Sequence, residues 1–154
     1  MVIEKNKDFS VKDLMNPNVV SLGPDATLKE ASELMSKQKI GSIVVIDKNE
    51  PVGIITERDF ATKILLKPYS AETKISEVMS SPVIHISSNQ SVSDVIDIMA
   101  NKEIRKIPVI DDGDLIGIIT GTEFLRLFVQ ATNEEMQQAY QQYVKRVYSK
   151  WFND

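Results

Sequence analysis

Laid on itself with a displacement of 64 residues, the chain repeats. Met15 falls on Met79, Val19 on Val83, Met35 on Met99, Ile40 on Ile104 and Ile43 on Ile107. Val-Ile-Asp at 45–47 then matches 109–111, Gly-Ile-Ile-Thr at 53–56 matches 117–120, and Phe60 matches Phe124. No gap is needed from 15 to 60, and the 13 identities in those 46 positions compare with roughly 3 expected from ordinary composition. Most other positions keep their character, as Val11 does with Ile75 and Leu28 with Val92. Half a module cannot bury its own apolar face, so the halves are expected to pack around a pseudo-twofold axis. Such an axis leaves a cleft with two related but unequal pockets.

Within each repeat the hydrophobic period switches in the same order. Ala26, Leu28, Ala31, Leu34 and Met35 recur at three and four, one face of a helix over 26–39, after the turn-forming Gly23, Pro24 and Asp25. A β-branched run at 43–46, a turn at 47–50 and a second run at 52–55 follow. A further helix opens at 56–59, with Phe60, Ile64 and Leu65 on its buried side. The second repeat gives a helix over 92–101, strands at 107–110 and 115–119, and a helix from Thr122. Short strands at 19–22 and 83–86 precede the first helix of each half; these apolar runs suit strands covered on both faces. The divisions are 1–10, repeat one at 11–66, a linker at 67–74, repeat two at 75–130, and a C-terminal segment at 131–154. In that last segment Thr132 and Glu135 have capping-box spacing. Met136, Tyr140, Tyr143, Val147 and Trp151 then form one stripe of an amphipathic helix reaching residue 153.

Composition excludes several classes. The chain of 154 residues suits one compact domain. Without cysteine it has neither disulfides nor thiolate metal sites, which fits a reducing compartment. No apolar run approaches the roughly 20 residues that span a bilayer, and residues 1–8 carry charges where a signal peptide needs an apolar stretch. The expectation is a cytoplasmic protein with no membrane partner. A net charge of -4 supplies no global basic field, so nucleic acid is a disfavoured partner.

The chemistry-bearing stretch is Gly53-Ile54-Ile55-Thr56-Glu57-Arg58-Asp59, which ends a strand and opens a helix. A helix start favours phosphate, Thr56 adds a hydroxyl, Arg58 a charged donor, and Asp59 a carboxylate able to accept both hydroxyls of a ribose. The same residues also read as a plain N-cap with Arg58 solvated. His85, the one histidine, cannot alone make a metal site or a triad, and a structural or rim role is expected of it. The acidic stretch 111–114 lacks the later ligands of a calcium loop and reads as a solvated hairpin turn. Met15, Met35, Met79 and Met99 read as core fillers, and Lys145, Arg146 and Lys150 as a solvated face.

The turn GIITERD, its partner GIITGTE and the stretch IRKIPVID at 104–111 resemble the tandem CBS domain, named after cystathionine β-synthase, over residues 11–129. The resemblance implies an α/β (α+β) fold of two β-α-β-β-α repeats. It also implies a non-enzymatic regulator that needs no cofactor and binds an adenosine ligand of the AMP, ADP, ATP or S-adenosylmethionine type between the repeats. Carried over residue by residue, it makes Asp59 the ribose ligand of a first pocket, with Thr56 and Arg58 near the phosphates and Ser42 beside them. The base would lie against Ser80, Ser81, Val83 and Ile84. In the second pocket Thr120 and Thr122 take the phosphate-facing positions, Arg105 and Lys106 the place of basic phosphate ligands, and Asn16, Pro17, Val19 and Val20 the base side. Glu123 stands where the family has Asp; its extra methylene is expected to crowd the ribose contact, which makes the Asp59 pocket the first to fill. A homodimer and a protein effector of unknown identity are the implied partners. The alternative is an assembly module with vestigial pockets and its function in the last helix.

Overall fold

The computed structural model describes residues 10–130 and 134–151, with the backbone alone at 128, 135, 136 and 151. Thr132 of the expected capping box therefore lies outside the described residues, as do the side chains of Met136 and Trp151.

Each repeat starts its main helix with the same device. Thr27 caps α2 (Leu28–Gln38): its hydroxyl accepts from Glu30 N at 3.1 Å, and Glu30 Oε2 accepts from Thr27 N at 2.7 Å. Ser91 and Asp94 do the same for α4 (Val92–Lys102) at 3.1 and 2.9 Å, and the bonds that the Asp94 carboxylate accepts from Ser91 N and Ser91 Oγ hold it below its usual range. Both helices end on a left-handed residue, Lys39 and Glu103. Both expected helices are thus present, the first with shorter ends and the second with one residue more at its C-terminus.

The strands follow the β-branched runs. β1 (Ser21–Leu22) lies parallel to β2 (Ser42–Asp47), which pairs antiparallel with β3 (Glu50–Thr56) through a turn at left-handed Lys48 and Asn49. In the second repeat β4 (Lys106–Asp111) and β5 (Asp114–Thr120) form a two-stranded sheet, and Asp112 and Gly113 turn the hairpin. The strand expected at 83–86 is reduced to one parallel bridge between Ile86 and Val109, and that expected at 19–22 to its last two residues. Chemistry explains the first loss. Val44 N donates to Val20 O at 3.1 Å, whereas residue 108 in the corresponding place is proline and has no N–H to give.

The chain divides into two compact bodies, one of residues 18–84 with 112–116, the other of residues up to 17 with 85–111 and those from 117 on. Neither body is a sequence repeat. Each holds most of one repeat together with the leading or linking segment of the other. In the first body Leu28 N donates to Thr73 O and Lys29 N to Ala71 O; in the second, Val11 N of α1 (Val11–Leu14) donates to Gln90 O and Lys12 N to Ser88 O. Ile54 and Ser80 exchange backbone hydrogen bonds at 3.1 and 2.9 Å, and so do Asn16 and Ile118, both at 2.9 Å. The apolar faces of α2, β2 and β3 close the core of the first body around Ala31, Ile43, Val45 and Ile55.

α3 (Glu57–Thr62) is a turn and a half, followed by a 3-10 turn at Ile64–Leu66. Leu65, expected on the buried side, is 81% exposed and Leu66 83%, because the chain leaves α-geometry before Leu65 can rotate inward. In the second body α5 (Gly121–Gln130) is longer, and α6 (Glu134–Val147) packs on it and on α4. Tyr143 stacks on Phe124 with centroids 4.1 Å apart and planes 5° from parallel. Arg146 pairs with Asp97 at 2.6 Å and Lys150 with Glu103 at 2.8 Å. The helix expected to run to residue 153 stops at Val147 and gives way to a 3-10 turn at Ser149–Trp151.

Two glycines permit the exchanged pairing. A Cβ on Gly53 would stand 2.5 Å from Met79 Sδ and 3.0 Å from Ser80 O; on Gly117 it would stand 2.5 Å from Met15 Sδ and 3.2 Å from Asn16 O. The methionine tails can shift, but the backbone carbonyls cannot without breaking the bridge. Gly53→Ala and Gly117→Ala are each expected to cost about 1–3 kcal/mol by overpacking. Gly23→Ala, where an added Cβ meets nothing within 4 Å, should change stability by no more than about 0.5 kcal/mol. Urea denaturation of the three variants checks this; equal midpoints would remove the close approach as a constraint.

Candidate functional site

The duplicated strand-to-helix turn is a built structure in both bodies. Thr56 has extended dihedrals and ends β3, so its N–H and hydroxyl point along the opening of α3. Asp59 folds back to meet them: Oδ2 accepts from Thr56 N at 2.7 Å and from Thr56 Oγ1 at 3.0 Å. The carboxylate is only 6% exposed and its other oxygen pairs with Lys63 Nζ at 2.7 Å. Lys63 also donates to Val78 O at 3.0 Å and Ser80 Oγ at 3.3 Å, tying the turn to the segment that carries the expected base-side residues. Ser81 Oγ donates to Val52 O at 2.9 Å, and Ser42 pairs with Thr56 across the sheet. All eight residues expected for the first pocket lie in the first body. Arg58, Ser80, Ser81 and Ile84 are exposed; Ser42, Thr56 and Val83 are half-buried.

The second body repeats the turn with one methylene more. Glu123 Oε2 accepts from Thr120 N and Thr120 Oγ1, both at 2.7 Å, and the side chain is 4% exposed. The longer acid therefore keeps the hydrogen-bonding role that Asp59 plays at Thr56, and Thr122 N adds a bond to Thr120 Oγ1 at 3.2 Å. Arg126 donates to Leu14 O at 3.0 Å. Leu14 is the repeat counterpart of Val78, so equivalent carbonyls take a basic side chain in both bodies, from Lys63 in one and Arg126 in the other. Leu127 stands where Lys63 would be.

The remaining second-pocket residues divide. Asn16 is bridged to Ile118, Pro17 is exposed, and Lys106 opens β4 half-buried. Val19 and Val20 belong to the first body. Arg105 is turned to the C-terminal segment, its guanidinium 4.6 Å from the Tyr148 ring centroid. Tyr148 accepts from Tyr143 Oη at 3.3 Å. Burial pushes the Tyr143 phenol well above its ordinary pKa, the Tyr148 hydrogen bond adds to this, and Arg105 pulls the other way. Lys63, Arg126, Tyr143 and Tyr148 are the neighbours that sequence reasoning did not include. Lys63 stands four residues after Asp59, an ion-pair spacing in any helix, and could have been found.

The other marked residues take ordinary places. His85 is exposed, and Met35 and Met99 are in the cores. Asp111 accepts from Ser88 N at 2.9 Å and from the Ser88 hydroxyl, which holds its carboxyl below the usual range. Among the described residues no group of histidine and carboxylate side chains is placed to hold a metal, and no helix is long and apolar enough to cross a membrane.

Comparison with known proteins matches the model of the CBS domain at residues 11–66 and 75–130. The CBS domain-containing protein YhcV of Bacillus subtilis is 34% identical over 110 residues, 71% of this chain and 79% of that protein. Among solved structures, the CBS domain pair of protein MJ0100 in complex with 5'-methylthioadenosine and S-adenosyl-L-methionine superposes with a TM-score of 0.72. It is 29% identical and covers 79% of this chain and 97% of that one. The hexameric CBS-CP12 protein from bloom-forming cyanobacteria superposes with a TM-score of 0.72 at 28% identity, covering 82% and 77%.

A carboxylate that caps its own helix and pairs with a lysine is part of the fold whether or not it meets a ligand. Asp59→Ala is expected to destabilise the ligand-free protein by about 1–3 kcal/mol, since it removes the cap and leaves buried donors unpaired. Lys63→Met should cost less, about 1 kcal/mol, because Lys63 is itself partly solvated. Denaturation in low salt measures both. An Asp59→Ala protein as stable as the parent would show that the cap is not structural.

Proposed function

Because the chain belongs to the CBS-domain family as a tandem pair, we propose that it is a regulatory module that binds an adenosine-containing ligand and passes the signal to a protein partner. The observation that carries this is the preassembled turn of Thr56 and Asp59, held by Lys63 against the Ser80 segment. A similar domain pair has been solved with 5'-methylthioadenosine and S-adenosyl-L-methionine, which supports an adenosine-containing ligand. In this reading Asp59 takes the ribose hydroxyls. Each carboxylate oxygen has two lone pairs, so Oδ1, with one partner in Lys63, has room for a hydroxyl. Thr56, Arg58 and Ser42 face the phosphates, and Ser80, Ser81, Val83 and Ile84 line the base. Lys63 adds a second positive charge beside Arg58, and it can exchange Ser80 for a phosphate oxygen. The second pocket uses Thr120, Thr122 and Glu123 with Arg105, Lys106, Asn16 and Pro17. The functional units are the repeats at 11–66 and 75–130.

Thermal denaturation with AMP, ADP, ATP, S-adenosylmethionine and adenosine tests the reading. At a hundredfold excess over Kd a bound ligand stabilises by about 2.7 kcal/mol, and Asp59→Ala, compared with its own ligand-free baseline, should abolish most of that gain. Arg58→Ala should weaken phosphorylated ligands and spare adenosine. No shift with any of the five at millimolar concentration would overturn nucleotide sensing.

One observation favours an assembly role beside the sensory one. Leu65 and Leu66 stand exposed next to a depression of about 350 Å³ lined in part by Leu28, Phe60, Ile64 and Tyr69, and apolar surface of this kind marks interaction sites. With Tyr143 of α6 buried in its own chain, this face is the better place for the expected homodimer. Light scattering at micromolar concentration should give a dimer, and Leu65→Ser with Leu66→Ser should lower the mass to that of a monomer. An unaltered mass would move the interface elsewhere.

A further inference from the structure

The two turns differ at their first helical residue. α3 opens on exposed Glu57, whereas α5 opens on Gly121. A Cβ on Gly121 would stand 2.5 Å from Tyr143 Oη and 3.6 Å from Tyr148 Oη. Glycine at 121 thus makes room for two tyrosine hydroxyls from the C-terminal segment, directly beside Thr120 and Thr122. The neighbouring difference is Arg105 in place of Gly41. Its guanidinium lies over the Tyr148 ring at 4.6 Å, and Tyr148 is tied to the body by the Tyr143 hydroxyl at 3.3 Å and by the Lys150 to Glu103 pair at 2.8 Å. Arg105, Tyr148 and the opening of α5 are therefore one cluster.

An exposed arginine loses much side-chain entropy when it is fixed on a ligand. A ring under its plane removes part of that loss beforehand and leaves the in-plane N–H edge open for a bidentate phosphate contact. We propose that Tyr148 is a positioning residue of the second pocket, fixing Arg105 for the phosphate of a phosphorylated adenosine ligand, so that this pocket is complete only while the end of α6 is docked. This rests on the nucleotide-binding reading given above. Its consequence is specificity: the second pocket prefers AMP to adenosine by an amount that depends on a residue outside both repeats. By linkage, a phosphate on Arg105 also holds α6 in place.

Calorimetry with AMP and with adenosine on the full chain carrying Asp59→Ala, which silences the first pocket, reads the second pocket alone. Tyr148→Leu should weaken AMP by about five- to tenfold, the range of a partly exposed cation–π contact, and leave adenosine within about twofold. Tyr148→Phe, which keeps the ring and loses the hydroxyl, should retain AMP binding. Should Asp59→Ala fail to fold, the amide shifts of Gly121 and Thr122 in the otherwise unaltered chain follow the same titrations. AMP affinity unchanged or raised in Tyr148→Leu overturns the proposal, as does a parallel loss for adenosine, which would mean only that the body had loosened. AMP binding that Asp59→Ala abolishes altogether overturns it too, while sparing nucleotide sensing at the first pocket. AMP binding to none of the proteins overturns both.

Discussion

Everything in this molecule depends on a pair of backbone bridges that join the end of one repeat to the start of the other. Ile54 meets Ser80 and Ile118 meets Asn16, each by two hydrogen bonds. These bonds lie where β3 and β5 run into their helices, so they bring the capped turn of each repeat beside the opening segment of the other. The approach is close enough to exclude a Cβ, and glycine is kept at 53 and 117. A duplicated sequence therefore does not fold into two independent copies. It folds into two bodies that have traded their leading segments, and each candidate site is made by that trade.

The capped turn has the same structural role in both bodies. Asp59 and Glu123 are almost completely buried, and each satisfies the N–H and the hydroxyl of its threonine. A buried carboxylate is tolerated when its lone pairs are used, so the cap alone accounts for both acids. The first turn goes further. Asp59 keeps Lys63 as a second partner, and Lys63 reaches on to Val78 and Ser80. A cation buried on one side and solvated on the other, next to an exposed Arg58, is more than an N-cap requires. That excess is what supports the proposal of ligand binding at the first turn.

Much of this was legible in the sequence, and what was not has physical reasons. The helices 28–38 and 92–102 follow from apolar spacing and Ser/Thr with Glu/Asp three residues on, because both signals are local. The duplication located both turns and both bridged segments, since apolar identities survive where packing demands them. Leu65 was misplaced because helical periodicity assumes that the helix continues, and α3 ends after Thr62. The strand at 83–86 does not form because Pro108, far along the chain, removes the donor that would have completed it. Lys63 and Arg126 reach the carbonyls of Val78 and Leu14 from different helical positions, so the repeat alignment hides their equivalence. Tyr148 was invisible for a deeper reason: nothing local marks a tyrosine as the seat of an arginine more than 40 positions earlier.

Three pairs of positions around the two turns differ in a way that the fold relates to one another. Gly41 became Arg105, Glu57 became Gly121, and Lys63 became Leu127, or the reverse. In the body without α6, position 57 faces solvent and can carry a charge, and the turn supplies its own cation from α3. In the body with α6, position 121 must be glycine because tyrosine hydroxyls fill the space. The basic residue is moved to the entry of β4, where an aromatic ring supports it. Leu127, in the place of Lys63, is buried. Tyrosines in and just after α6 thus account for two of the three differences: their hydroxyls occupy the space beside Gly121, and the Tyr148 ring lies against the Arg105 guanidinium.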